Sequence, residues 1–227
     1  MCKSIKIARR KIVGMKTAIP RMPMKRSCCS FVKNASAIYQ QGDDGNDVLI
    51  VLRCPGRGEL DLGFPAAGAT GVHLCRVFHK MSKCKLCLRK VSIVNTATKY
   101  IPSTTKVSMQ EIKSNLSLDK MLRKYGRSNS GTLILCGEDA VKAYEIIKGD
   151  EIWPCRIVKL CHMSQCGINH LTCDRERADD WRYVVIARYL DRAFTSEERI
   201  NGWQELCRDE VYGNLKWSSG KPPNWII

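Results

Sequence analysis

Ten Lys and Arg residues and no carboxylate stand between Met1 and Lys33. Like charges at that density repel one another in any compact state. Pro20 and Pro23 interrupt a helix, and the apolar residues between the cations keep no steady period. The expectation is a flexible basic arm over residues 1–33 that orders on a polyanion. The imbalance continues beyond the arm. Residues 1–136 hold 25 Lys/Arg against 7 Asp/Glu, a balance of +18, whereas residues 137–227 hold 13 against 15, a balance of −2. The first part has the electrostatics of a polyanion binder and the second those of an ordinary fold. Nucleic acid is the commonest polyanion partner, and an anionic membrane surface is the rival.

A hydrophobic content of 44% over 227 residues is enough for a real core. The expected fold class is α+β: a disordered basic N-terminal arm, a basic Cys-rich β-containing half and a compact mixed α/β C-terminal half. Residues 34–126 and 132–227 either stand apart across the polar Arg127–Gly131 stretch or form one domain. Strands are predicted at Val48–Arg53, Val91–Thr96, Thr98–Ile101, Thr132–Cys136 and Ile152–Leu160, the last at an edge because of Pro154. Gly71–Phe78 alternates like a strand, with His73, Cys75 and Val77 on one face. The β-branched and aromatic content of Trp181–Leu190 also points to strand. Helices are predicted at Ser117–Gly126, at Glu138–Lys148 and, from the capping box Thr195–Glu198, onward to Tyr212. Cys54–Gly63 is glycine-rich after a strand. Pro65 follows at once and no helix is seen to open, so a tight loop is preferred to a phosphate cradle. All five tryptophans lie in the last 75 residues. They read as core, with a face around Trp217 and Trp225 suited to self-association and the tail Lys216–Ile227 lying over the surface. Near the basic stretches after the arm, Phe78, Tyr100 and Tyr125 are the stacking candidates.

Thirteen cysteines are an odd number, which argues against a closed disulfide framework. The N-terminus lacks the apolar core of a secretory signal, and the apolar runs are far too short to span a bilayer. A reducing compartment, cytoplasmic or nuclear, is expected, where thiols are free, buried or metal-bound. The stretch Cys155–Cys173 carries the sharpest chemical signal. On a helix, Cys166, His170 and Cys173 share one face, and thiolate and imidazole together suit tetrahedral zinc. Cys84-x-x-Cys87 has zinc-knuckle spacing among cations that favour thiolate. Three ligand sets follow. Cys84, Cys87, Cys166 and His170 together form the favoured set. Cys161, Cys166, His170 and Cys173 form a second, and His73 or Cys75 with His79, Cys84 and Cys87 a third. The alternative is that these thiols are small buried hydrophobes, as fits Cys136, Cys155 and Cys207. A nucleophile pair, Cys166 with His170 or Cys161 with His162, needs thiol and base within hydrogen-bond reach, and no oxyanion-hole signature accompanies either.

Cys166-Gly167-x-x-His170 resembles the C-G-x-x-H motif of the small cysteine-rich proteins of some plant RNA viruses. That resemblance implies RNA binding and suppression of silencing, and a viral accessory role. The expected function is non-enzymatic nucleic-acid binding, with RNA preferred over DNA. Phosphates would be met by the arm (Arg9, Arg10, Lys11, Arg21, Lys25, Arg26) and by the Arg76–Lys90 stretch (Arg76, Lys80, Lys83, Lys85, Arg89, Lys90), held in shape by zinc. One alternative is a viral matrix- or capsid-like structural protein that binds anionic membrane or packaged nucleic acid and self-associates through its Trp-rich half. A second is a cysteine-dependent enzyme.

Overall fold

Strand β2 (Val48–Leu52) is buried at every position, as is β4 (Thr132–Cys136), so the sheet they form must be covered on both faces. The computed structural model describes residues 36–43, 46–83, 86–164, 167–168, 171–173, 180–195 and 215–217, which belong to one unit spanning Phe31–Ile227. The arm, residues 1–33, lies outside the described residues. With β1 (Tyr39–Gln40), β3 (Ser92–Asn95) and β5 (Arg156–Leu160), the strands form a five-stranded sheet in the order β1–β3–β2–β4–β5. β3, β2, β4 and β5 run parallel, with Ile50 facing Ile93 on one side and Ile134 on the other. β1 closes one edge antiparallel to β3. Parallel neighbours need long crossovers, and helices supply them. α1 (Arg57–Leu62) and α2 (Ala69–Lys80) lead from β2 to β3, and α3 (Met109–Ser114) and α4 (Leu116–Gly126) lead from β3 to β4. α5 (Glu138–Lys148) leads from β4 to β5, and α6 (Trp181–Thr195) follows later in the chain.

Alternation along the strands divides the interior. Val48, Ile50, Leu52, Ile93, Ile134 and Val158 pack with α2 and α6 in one core. Leu49, Val51, Val94, Leu133 and Leu135 pack with α3, α4 and α5 in the other. The mixed helix–strand fold expected from the sequence is therefore present, as six helices and a five-stranded mixed sheet among the described residues. Because β4, from the second half of the chain, pairs with β2 from the first, Arg127–Gly131 is a loop within the sheet's connectivity.

Several local expectations are overturned. Gly71–Phe78 is helix: its buried residues His73, Leu74, Val77 and Phe78 follow the helical period, which the alternation of a shorter window had masked. Trp181–Leu190 is also helix, with Trp181, Val185 and Tyr189 buried at intervals of four; packing on α2 overrides β propensity. A short helix, α1, does open after Cys54–Gly56, closed by Gly63 at φ 75°. Asn115, not Ser117, caps α4, its side chain accepting from the Leu118 amide. Thr98–Ile101 is irregular, and Leu171–Cys173 is a strand, β6, paired antiparallel with β7 (Leu215–Trp217). The helix expected from Thr195 to Tyr212 lies outside the described residues, apart from Thr195, which ends α6.

Arg53, just past β2, ties the C-terminal edge of the sheet together. Its Nε donates to Asp139 Oδ2 at 2.9 Å, Nη1 to the Ile101 carbonyl at 2.9 Å, and Nη2 to the Pro102 carbonyl at 2.9 Å and to that of Thr105. Removing one partner of a largely buried ion pair strands the other. Arg53→Ala is expected to lower unfolding free energy by about 3 kcal/mol, measured as a shift in urea midpoint at unchanged slope.

Candidate nucleic-acid interface

Ligands of doubly wound sheets sit where crossovers leave neighbouring strands in opposite directions, beyond the strands' carboxyl ends. Here that place is between β2 and β4. It is already filled: Arg53 is spent on Asp139 and three carbonyls, and Glu138 and Asp139 occupy the first turn of α5, where an anion would otherwise be favoured. A phosphate there would meet the Glu138 and Asp139 carboxylates, which are paired with Lys106 and Arg53.

Positive charge collects on the α2/α6 layer instead. Among the described residues, α2 carries Arg76 and Lys80 and no acid, and α6 carries Arg182, Arg188 and Arg192. The one carboxylate on α6, Asp191, is buried at 5% exposure. It accepts from the Ser82 amide at 2.7 Å, the Ser82 hydroxyl at 3.0 Å and the Lys83 amide at 2.9 Å. The residue that would neutralise this face is thus turned inward to anchor the loop after α2. Asp180 pairs with Lys80 at 2.5 Å. Helices α3, α4 and α5 on the opposite face are balanced by contrast, carrying Glu111, Asp119, Glu138, Asp139 and Glu145 among their lysines and arginines.

From Lys83 the chain runs as a basic loop to β3. Its far end is held from β1, where the Gln40 side-chain amide donates to the carbonyls of Leu88 (2.6 Å) and Val91 (3.3 Å). Gly42 lies so close to the Lys90 carbonyl that a Cβ there would approach it to 2.2 Å. Of the predicted contact residues, Arg76, Lys80, Lys83, Arg89 and Lys90 are exposed on this face and loop. Arg76 donates to the Tyr183 hydroxyl at 3.2 Å and stacks over its ring, and Arg89 lies 3.9 Å from Asp43. Lys85 and the arm residues Arg9, Arg10, Lys11, Arg21, Lys25 and Arg26 lie outside the described residues. Sequence reasoning missed Arg182, Arg188 and Arg192. The four-residue spacing of Arg188 and Arg192 puts those two on one helical face once the segment is taken as a helix. Phe78 and Tyr125 are buried, which leaves Tyr100, 41% exposed beneath the Arg57 guanidinium, as the accessible member of the three aromatics.

Among the metal candidates, Cys84, Cys166 and His170 lie outside the described residues. Cys87 and His79 are exposed, Cys161 is buried and Cys173 stands in β6. The helical face proposed for Cys166, His170 and Cys173 therefore does not extend to Cys173. Cys87 sits beside the start of β3, where its carbonyl accepts from Lys90 and Val91. Gly167 packs against His162 just past the end of β5. No group of three or more His, Cys, Asp or Glu side chains able to hold a metal occurs among the described residues. Burial pushes the Cys161 thiol up to about 12, the opposite of an activated nucleophile. Among the described residues no helix is long and apolar enough to cross a membrane.

No protein-family model matches the chain, and no curated protein sequence matches it.

Two measurements test this arrangement. Maleimide labelling mapped by mass spectrometry is expected to modify Cys75 and Cys87 quickly and to leave Cys136 and Cys161 unmodified until denaturant is added. The second follows from the histidines. Burial, reinforced by Arg76, holds His73 below the usual imidazole range, and burial with Arg53 does the same for His162. The folded chain therefore binds fewer protons than the unfolded one at these sites, and stability is lost as pH falls below about 6.5. Urea midpoints at pH 5 and pH 7.5 are expected to differ in that sense, and the difference is expected to shrink in His73→Gln.

Proposed function

We propose that the protein binds nucleic acid through its phosphates and performs no chemistry on it. The observation that carries this reading is the segregation of charge: Arg76, Lys80, Arg182, Arg188 and Arg192 share one helical layer whose single internal carboxylate, Asp191, is turned inward. A phosphate backbone complements such a face without fixing a sequence. The loop from Lys83 to Lys90 extends the charge towards β1, and the arm, ten cations without an acid, enters the chain just before that strand. RNA is preferred over DNA on the resemblance of Cys166-Gly167-x-x-His170 to the viral cysteine-rich proteins.

The test is fluorescence anisotropy of a labelled RNA over a salt series, with the full-length chain. Wild type is expected to lose affinity steeply with salt, because each phosphate contact releases condensed cations. Arg188→Glu/Arg192→Glu, at two exposed positions, is expected to weaken binding about tenfold and to flatten the salt slope by about 1 to 2. Equal affinity in wild type and variant overturns the assignment of this face. Flotation with phosphatidylserine vesicles after nuclease treatment, in a chain that ignores RNA, transfers the face to a membrane partner.

A further inference from the structure

The edge of the sheet beside β1 holds a groove that the phosphate face does not account for. Its volume is about 500 Å³, and it lies between β1 and α4. Met121 and Tyr125 form its buried floor, and Leu116, Lys120 and Lys124 stand at its α4 side opposite Tyr39. Leu116 is 80% exposed. Among the described residues no carboxylate lines the groove; Asp119 on the same helix is engaged by Arg123 at 3.0 Å. The Lys124 ammonium lies over the Tyr125 ring, and the Tyr125 hydroxyl is fixed 2.6 Å from the Ser92 hydroxyl. Tyr125 is therefore a rigid wall, and the half-buried Tyr39 supplies the aromatic surface open to a ligand.

Size, polarity and charge together narrow the occupant. A pocket of a few hundred Å³ takes a ligand of small-molecule size. Apolar walls call for a flat, weakly polar body, and two lysines one helical turn apart call for an anion attached to it. The Gln41 and Ser117 side chains add hydrogen-bonding groups at the rim. A segment with the charge of the chain's own arm would meet like charge at Lys120 and Lys124, which excludes it as the occupant. A base joined to a phosphate satisfies each requirement. We propose that this groove receives one nucleotide of a single strand, the base against Tyr39 and Leu116 and the flanking phosphates on Lys120 and Lys124. The inference rests on the nucleic-acid reading above. Tyr39 and the lysines are remote in the chain, and the fold brings Tyr39 of β1 beside the lysines of α4.

The site also has a route to the phosphate face. Gln40, between the groove residues Tyr39 and Gln41, holds the carbonyls of Leu88 and Val91 at the end of the basic loop, and Asp191 of α6 holds that loop's start. A strand crossing the α2/α6 face can follow the loop to the groove. A base must be unpaired to enter, so the groove discriminates single strand from duplex, which a phosphate face alone does not.

The experiment compares a fluorescein-labelled oligouridylate with a blunt RNA duplex, using the full-length chain. Lys120→Glu/Lys124→Glu, both at exposed positions, is expected to weaken single-strand binding about tenfold or more and to leave duplex binding within about twofold. Tyr39→Leu is expected to act in the same direction and Tyr39→Phe to retain binding, which separates stacking from the fold because both keep an apolar side chain in β1. If the groove variants bind both probes as wild type does while Arg188→Glu/Arg192→Glu weakens both, the groove inference fails and the phosphate face stands. If wild type binds neither probe, both readings fail.

Discussion

Strand β2 sends alternate side chains into two separate cores, and the rest of the molecule is arranged to cover both. Ile50 belongs to the core under α2 and α6, and its neighbours Leu49 and Val51 belong to the core under α3, α4 and α5. A strand apolar on both faces gains full burial only in the middle of a covered sheet, which is the setting of parallel strands joined by helical crossovers. The pairing of β2 with β4 brings together segments that lie far apart in the chain. Arg53 then holds the loops at that junction by satisfying Asp139 and three carbonyls at once. A guanidinium suits the task because its planar fork presents several donors in fixed directions.

The same clamp explains why this sheet does not use the ligand position common to its architecture. The carboxylates that open α5 interact favourably with its dipole, and they engage Arg53 and Lys106, the cations an anion in the crevice between β2 and β4 would meet. Among the described residues, Arg76, Lys80, Arg188 and Arg192 stand exposed on the outside of the α2/α6 layer. Asp191 is central to that outcome. On a solvent-facing position it would offset the neighbouring arginines; buried beneath the loop it satisfies two backbone amides and a hydroxyl instead.

Much of the sheet was legible in the sequence. Val48–Leu52, Thr132–Cys136 and Glu138–Lys148 announce themselves by continuous burial or by charges that match a helix dipole. The helices α2 and α6 were not legible. The alternation of His73, Cys75 and Val77 hid the helical period of α2, and the aromatic and β-branched residues of α6, such as Tyr183 and Val185, score as strand when the partner helix is unknown. His73 finds the Tyr183 hydroxyl at 2.8 Å across the contact of those two helices, a partner 110 residues away in the chain. The candidate interface was legible only by halves: the Arg76–Lys90 cations stood out, and the arginines of α6 did not.

Charge imbalance, the basic arm and the presence of strands buried on both faces are properties of composition and local pattern, and the sequence alone determined them. Which charges share a face was decided only by tertiary structure. Arg76 and Arg188 come to lie in one layer because their helices pack on the same side of the sheet, and Tyr39 meets Lys120 and Lys124 because β1 closes the edge beside α4. A binding surface is a matter of distance in space, and the pairing of strands remote in sequence is what converts one kind of distance into the other.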